Sequence, residues 1–181
     1  VTLRYLLAQP GGLPYSAGLR IARQITAGLA AAHAVGVLHR DLKPENVILE
    51  SSGNAKLMDF GIARPIRRQE SGLTGPGMFI GTPGYAPPEA LEGKEVDARA
   101  DLYALGVMFC EIFCGSKPFA AKDGMELYLA QMQGELIAPR QLNPALSEAL
   151  EVLILRCLSH APVGRPADAQ TVLQVLNELR G

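Results

Sequence analysis

Apolar residues spaced three and four apart divide much of this chain into helices. Leu19, Ile21, Ile25, Leu29 and Ala32 recur along residues 17–33, the pattern of an amphipathic helix with one buried face. Gly36 follows where a left-handed cap is wanted. Thr2 to Ala8 has the same spacing on a shorter scale, and Gln9-Pro10-Gly11-Gly12 stops it. Between Ala98 and Gly115 the pattern changes. Leu102, Leu105, Val107, Met108, Phe109, Ile112 and Phe113 fall on nearly every side, which predicts a helix buried along its length. Three further helices are predicted around 124–133, 146–158 and 167–180, separated by Pro139, Pro144 and Pro162. Only one place reads as sheet: Val47 to Glu50 and Ala55 to Met58 flank Ser51-Ser52-Gly53-Asn54, two short strands about a glycine-containing turn. The twenty-nine residues between Asp59 and Glu89 are rich in Gly, Ser, Thr and Arg and show no helical period. They read as a long loop, of the kind that in a compact domain is functional or disordered. The pattern as a whole predicts a mainly α protein with one short β-hairpin.

Composition narrows the class without naming a partner. A length of 181 residues is about one domain, and 48% apolar content with a net charge of −1 describes an ordinary soluble globular protein. Neither nucleic acid nor an anionic membrane is suggested. The basic run Arg64, Arg67 and Arg68 is short and broken by Pro65 and Ile66, so it reads as a solvated loop or a phosphate-pairing cluster. Cys110, Cys114 and Cys157 make no disulfide framework; Cys110 and Cys114 lie four apart in an apolar helix and read as small buried hydrophobes. No run approaches the ~20 apolar residues of a membrane span, and no signal peptide opens the chain. The chain is read as cytoplasmic. It begins at Val1 and enters a helix pattern almost at once, so it is expected to be cut from something longer.

The candidate chemistry is concentrated in one octapeptide, His39-Arg40-Asp41-Leu42-Lys43-Pro44-Glu45-Asn46, followed after twelve residues by Asp59-Phe60-Gly61. Phosphoryl transfer needs a group that orients the attacking hydroxyl, and oxygen ligands that hold Mg²⁺ against the phosphates. Asp41 suits the first role. Asn46 and Asp59 suit the second, because hard Mg²⁺ takes oxygen ligands and keeps only one or two carboxylates beside water and phosphate. The predicted hairpin hangs Asn46 at its entrance and Asp59 at its exit, so two ligands thirteen positions apart meet on one side.

These two motifs resemble the catalytic loop and metal loop of eukaryotic-type protein kinases. Gly81-Thr82-Pro83-Gly84-Tyr85-Ala86-Pro87-Pro88-Glu89 is similar to the end of that family's activation segment and its A-P-E tripeptide, with Pro87 where the family usually has Ala. The resemblance covers essentially the whole chain but only the second half of a kinase. It implies the large, mostly helical C-terminal lobe, residues 1–181, with the catalytic loop at 39–46, the metal loop at 59–61 and the activation segment at 59–89. The Gly-rich loop that covers the phosphates, the strand Lys that reaches them and its partner Glu have no counterpart here, since no G-x-G-x-x-G occurs and Gly72, Gly75 and Gly77 fall inside the activation segment. The small lobe is expected upstream in the natural protein.

The resemblance also implies roles and cofactors. ATP and Mg²⁺ are the implied cofactors, and a protein with a Ser or Thr acceptor is the implied substrate. Asp41 would accept or orient the hydroxyl proton, and Lys43 would neutralise charge on the transferred phosphoryl group. Lys43, two residues after Asp41, looks like the serine/threonine subclass, and Thr82 matches a residue that braces both. Asn46 and Asp59 would hold the metal, and Ile48 would lie under the adenine. His39 is implied to be structural, packed against Phe60 ahead of Gly61, because Asp41 already occupies the base position. Arg40 marks the subgroup in which an Arg captures an activation-loop phosphate, for which Thr74 and Ser71 are candidates, Thr74 the better placed. Asp101 would accept hydrogen bonds from the catalytic-loop backbone, although an acid there also suits a helix start. Arg165 would pair with Glu89.

The texture is most similar to bacterial members, many of which continue into a linker and a membrane anchor; nothing in these residues shows one. Two functions are carried forward. The first is a serine/threonine protein kinase of which this chain is one lobe, inactive by itself. The second is a non-catalytic, pseudokinase-like binding or scaffold module. An exposed apolar face is expected where the small lobe would pack.

Overall fold

The computed structural model describes residues 1–60, 82 and 84–180. Eight α-helices and one two-stranded antiparallel sheet appear among them. The fold is mostly helical, and its centre is α4, Ala98–Cys114, in which every residue from Asp101 to Phe113 is buried. Asp97 starts α4 by accepting a hydrogen bond from the Arg99 N–H at 2.8 Å, and Gly115 at φ 75° ends it in a left-handed cap. Around it pack α2 (Tyr15–Ala34), α6 (Pro139–Leu142) and α7 (Glu148–Cys157), while α8 (Ala169–Glu178) closes against α2 and α7.

Two glycines let these helices approach. A Cβ on Gly18 of α2 would lie 2.9 Å from Ile112 Cγ2, and one on Gly106 of α4 would lie 2.8 Å from Cys157 Cβ and 3.1 Å from Leu158 Cγ. At both crossings an added carbon would force its neighbours to shift. The cysteines sit within this packing. Burial pushes the thiol of half-buried Cys114 up to about 11 and that of Cys157 up to about 12, so neither is a reactive thiolate.

The remaining boundaries show where periodicity misplaces an end. Helix α1, Leu3–Leu7, is capped by the Thr2 hydroxyl, and α5, Gly124–Gln133, by Asp123. Helix α2 starts at Tyr15 rather than 17, because the Pro14 carbonyl already accepts from Gly18 N–H at 2.9 Å. Helices α7 and α8 are shorter than their apolar runs because Ser147 and Asp168 cap them by accepting from Leu150 and Thr171 N–H. Pro139 does not separate helices but opens one, and α3, Pro88–Leu91, likewise places a helical turn where a continuous loop is expected. Proline at the first helical position has its φ already set and loses no bond there.

The hairpin is Val47–Leu49 (β1) against Ala55–Leu57 (β2), with Val47 opposite Leu57 and Leu49 opposite Ala55. Val47 and Leu49 point into the core, and Ile48 between them is half-buried. Helix α2 supports the sheet, its Gln24 side chain accepting from Ala55 N–H at 2.8 Å. Thr2 bridges to Ile48, and Leu49 N–H donates to the Val1 carbonyl at 2.8 Å, so the segment before α1 extends the sheet.

One buried ion pair ties α3 to the segment before α8. The Arg165 guanidinium meets Glu89 in two parallel bonds of 2.6 and 2.8 Å and donates also to the carbonyls of Ser159, Arg99 and His160. Its side chain is 0% exposed and that of Glu89 8%, so the charges are desolvated but fully hydrogen-bonded. Removing one partner strands the other. Arg165→Met is expected to destabilise the fold by about 3–5 kcal/mol, while Arg165→Met with Glu89→Leu recovers much of the loss. Chemical denaturation of the two variants checks the pair. At the α4–α7 crossing, Gly106→Ala is expected to cost about 1–3 kcal/mol by overpacking despite its better helix propensity, whereas Gly124→Ala, with open space around the added carbon, costs nothing measurable. Melting temperatures of these two variants test the crossing.

Candidate active site

The octapeptide lies between α2 and the hairpin, and its side chains converge. Asp41 Oδ1 accepts from the Thr82 hydroxyl at 2.7 Å, and its Oδ2 lies 2.8 Å from Lys43 Nζ. Lys43 Nζ also donates to Thr82 Oγ1 at 2.7 Å, which closes a triangle of carboxylate, ammonium and hydroxyl. Asn46, at the end of the 3₁₀ turn Pro44–Asn46, donates from Nδ2 to the Asp41 carbonyl at 2.8 Å and to Asp41 Oδ2 at 3.2 Å. Those bonds turn its Oδ1 away from Asp41. Among the described residues that oxygen accepts no hydrogen bond.

The hairpin brings Asp59 back to this place. Met58 N–H donates to the Asn46 carbonyl at 2.8 Å, so Asp59 follows directly on a residue bonded to Asn46. Asp59 has φ 54°, in the left-handed region that a non-glycine residue rarely adopts. It is exposed and makes no ion pair among the described residues. Asn46 and Asp59 thus bracket the hairpin in sequence, and both side chains carry hard oxygen donors. Ile48 lies in the middle of β1, half-buried.

His39 is fully buried, and its ring Nε2 lies 2.9 Å from the Met58 carbonyl. A carbonyl only accepts, so Nε2 carries the proton. The ring meets Phe60 at 4.8 Å between centroids. Burial lowers the His39 pKa, keeping the imidazole neutral against the pull of Asp101, and its Nδ1 has no partner among the described residues.

Asp101, in the first turn of α4 and 2% exposed, grips the loop from beneath. Its Oδ2 accepts from His39 N–H and its Oδ1 from Arg40 N–H, each at 2.8 Å. Arg40 has φ 65°. These two bonds hold a strained residue immediately before Asp41. The Arg40 side chain is exposed. Gly61, Ser71 and Thr74, with Arg64, Arg67 and Arg68, lie outside the described residues.

Sequence spacing does not reveal two groups beside this site. One is His33, at the end of α2, whose Nε2 lies 2.8 Å from Asp101 Oδ2. The other is a charged cluster centred on Arg4 of α1. Its Nε donates to Glu45 at 2.7 Å and its Nη1 to Glu111 at 2.8 Å, and Nη2 meets the Tyr85 hydroxyl, which itself donates to Glu111. Lys117 Nζ sits 4.3 Å over the Tyr85 ring. Burial opposes the charge on Arg4, but its bonds to Glu111 and Glu45 outweigh it and raise its pKa; burial and then the Glu111 charge push the Tyr85 phenol far up. The cluster joins α1, the 3₁₀ turn at Glu45, Tyr85 and α4. The one hint in the sequence is Glu111, the one charged residue between Leu102 and Cys114 of α4. Among the described residues no group of three His, Cys, Asp or Glu side chains could hold a metal ion by itself, and no helix is long and apolar enough to cross a membrane.

Residues 2–177 match the family described as protein kinase domain. Similar curated proteins include the serine/threonine-protein kinase PksC of Streptomyces coelicolor, 38% identical over 91% of this chain and 30% of PksC. The serine/threonine-protein kinase pkn3 of Myxococcus xanthus is 38% identical over 93% of this chain and 32% of its own length. PknD of Mycobacterium tuberculosis, also a serine/threonine-protein kinase, is 41% identical over 91% of this chain and 24% of PknD. The chain therefore spans about a quarter to a third of the length of these relatives. With the match running nearly end to end over a helical fold that gathers Asp41, Lys43, Asn46 and Asp59 beside one hairpin, the chain belongs to the protein kinase family.

Proposed function

We propose that residues 1–181 are the large, C-terminal lobe of a serine/threonine protein kinase domain. The whole protein then transfers the γ-phosphoryl group of ATP to Ser or Thr hydroxyls of a protein substrate. The observation that carries this reading is the Asp41–Lys43–Thr82 triangle next to Asn46 and Asp59. Protein kinases in general use ATP with Mg²⁺.

In this reading the Asp41 carboxylate orients the acceptor hydroxyl and takes its proton, while Lys43, already beside Asp41, stabilises charge on the moving phosphoryl group. Thr82 holds both side chains, and a Lys at this position suits a Ser or Thr acceptor. Asn46 Oδ1 and the Asp59 carboxylate would hold Mg²⁺, which would supply positive charge against that of the phosphates. Ile48 supports the adenine. His39, neutral and bonded to the Met58 carbonyl, positions the metal loop through its backbone rather than acting as base. Arg40 would receive a phosphate on Thr74. A purely scaffolding module has no use for this constellation, and the chain retains Asp41, Lys43, Asn46 and Asp59.

These residues supply one wall of a nucleotide cleft. No G-x-G-x-x-G loop occurs in them, and Lys56 of β2 is paired with Glu50, so the roof over the phosphates is assigned to a second lobe of the whole protein. Val37 and Met58, 43% and 42% exposed, are large apolar side chains left open beside the catalytic and metal loops, where such a lobe would rest.

The whole protein is expected to move radiolabel from γ-labelled ATP to serine or threonine of a generic basic protein; phosphotyrosine as sole product sinks the assignment. In that protein Asp41→Asn should lower turnover about 100-fold or more with nucleotide binding retained. Asp59→Asn should also weaken Mg²⁺-dependent nucleotide binding, and equal effects of the two on binding would overturn the division of roles. Residues 1–181 alone should show little or no turnover, because positioning is nearly all that phosphoryl transfer asks and ~1 Å of misplacement costs about a hundredfold. Calorimetric titration with ATP and Mg²⁺, run beside a transfer assay, checks this; tight binding with measurable turnover would show the second lobe dispensable.

A further inference from the structure

We propose that Lys117, in the segment after α4, is a specificity-determining residue that receives an acidic side chain of the protein substrate close to the acceptor hydroxyl. The proposal rests on the kinase reading and names the substrate chemistry that the same site would select.

Lys117 reaches the acceptor side of the site through Tyr85. Its Nζ lies 4.3 Å from the centre of the Tyr85 ring, the Tyr85 N–H donates to the Thr82 carbonyl at 3.1 Å, and the Thr82 hydroxyl donates to Asp41 at 2.7 Å. The ammonium thus rests on a residue three positions after the one that holds the Asp41 carboxylate. Gly84 gives it room. A Cβ there would lie 3.1 Å from Lys117 Nζ and 3.4 Å from Leu127 Cδ2 of α5, so a side chain at that position would crowd the ammonium.

The charge lacks a counter-ion of its own. An ammonium carries three donors, yet among the described residues Lys117 Nζ has the face of Tyr85 and no ion pair. The acids whose charge reaches it are already bonded: Glu45 accepts from Arg4, and Glu111 accepts from Arg4 and from the Tyr85 hydroxyl. Burial lowers the Lys117 pKa, with the Glu111 charge opposing that shift and Arg4 adding to it. The cation has therefore lost part of its hydration without gaining a carboxylate. An anion arriving from solvent restores what is missing, and it does so more strongly than at an open surface because part of the desolvation is already in place.

The surroundings favour an acid over a base as the arriving group. Lys117 is half-buried, and its nitrogen is not among the side-chain atoms sealed from solvent, so a carboxylate can meet it without displacing anything. A basic substrate residue would first have to displace Arg4 from Glu45 and Glu111. A generic basic protein is thus a usable acceptor but a poorer one than an acidic peptide.

The test uses the whole protein and short peptides with one Thr acceptor in a neutral background, in which a single Glu or Gln is walked along both sides of the Thr. At one position close to the Thr, kcat/KM is expected to be about tenfold higher for Glu than for Gln, through KM, with kcat little changed. Lys117→Gln should erase that preference, Lys117→Arg should keep it, and Lys117→Glu should turn it toward a Lys at the same position. Turnover of the neutral peptide and the melting temperature should stay near wild type. A wild type that ignores Glu at every position overturns the proposal, as does a Gln variant that keeps the preference. A loss of turnover equal for all peptides also overturns it, because lost packing on Tyr85 alone would produce that. If the Gln variant does not fold, Arg against Glu decides. If the wild-type whole protein transfers no phosphate, the kinase reading fails, and fluorescence anisotropy of the same peptides, labelled and with Ala for the acceptor, still decides whether Lys117 binds the acid.

Discussion

A carboxylate held at 2% exposure is a liability unless donors surround it, and Asp101 turns that requirement into architecture. Its charge is met by two loop amides, by an imidazole from α2 and by its place in the first turn of α4, where the helix macrodipole favours an acid. The loop that begins at His39 is thereby bolted to the most deeply buried helix of the fold. Everything downstream in the site inherits its position from this contact. Asp41 follows Arg40, Asn46 is tied to Asp41, and Met58 is tied to Asn46.

The site stores strain at two points, Arg40 and Asp59, the only non-glycine residues with positive φ among the described residues. Each such conformation costs about 1–3 kcal/mol and survives only where neighbours over-determine it. At Arg40 the neighbour is Asp101; at Asp59 it is the hairpin closure between Met58 and Asn46. Arg40 directly precedes one of the polar groups on which phosphoryl transfer would depend and Asp59 is another, and there preorganisation is worth more than local relaxation.

Rigid support comes from α4 and its charged fringe. Glycine crossings let α2 and α7 press against it, the Arg165–Glu89 pair holds α3 near its start, and Arg4 draws Glu111 and Tyr85 together near its end. Thr82 and Tyr85 lie on one short segment, so the cluster around Arg4 and the triangle around Asp41 share a backbone. Two polar systems that look separate in side-chain contacts are thus mechanically one.

The motifs and the longer helices were legible because they are local. His39 to Asn46, Asp59-Phe60 and the apolar period of α2 and α4 depend on spacings within one element, where side chains at fixed intervals must share a face. The hairpin was legible for the same reason, with Gly53 in its turn. One-turn helices α3 and α6 were not, since four residues carry no period and proline reads as a breaker until its place at a helix start is known. The pairings that set the site belong to tertiary structure alone. His33 to Asp101 spans 68 positions, Arg165 to Glu89 spans 76 and Arg4 to Glu111 spans 107. The family resemblance suggested a partner for Glu89 and a task for Asp101, but nothing in the chain marked His33 or Arg4. Which charged groups meet across such distances depends on how closely two helices cross, and that is decided only when the whole core packs.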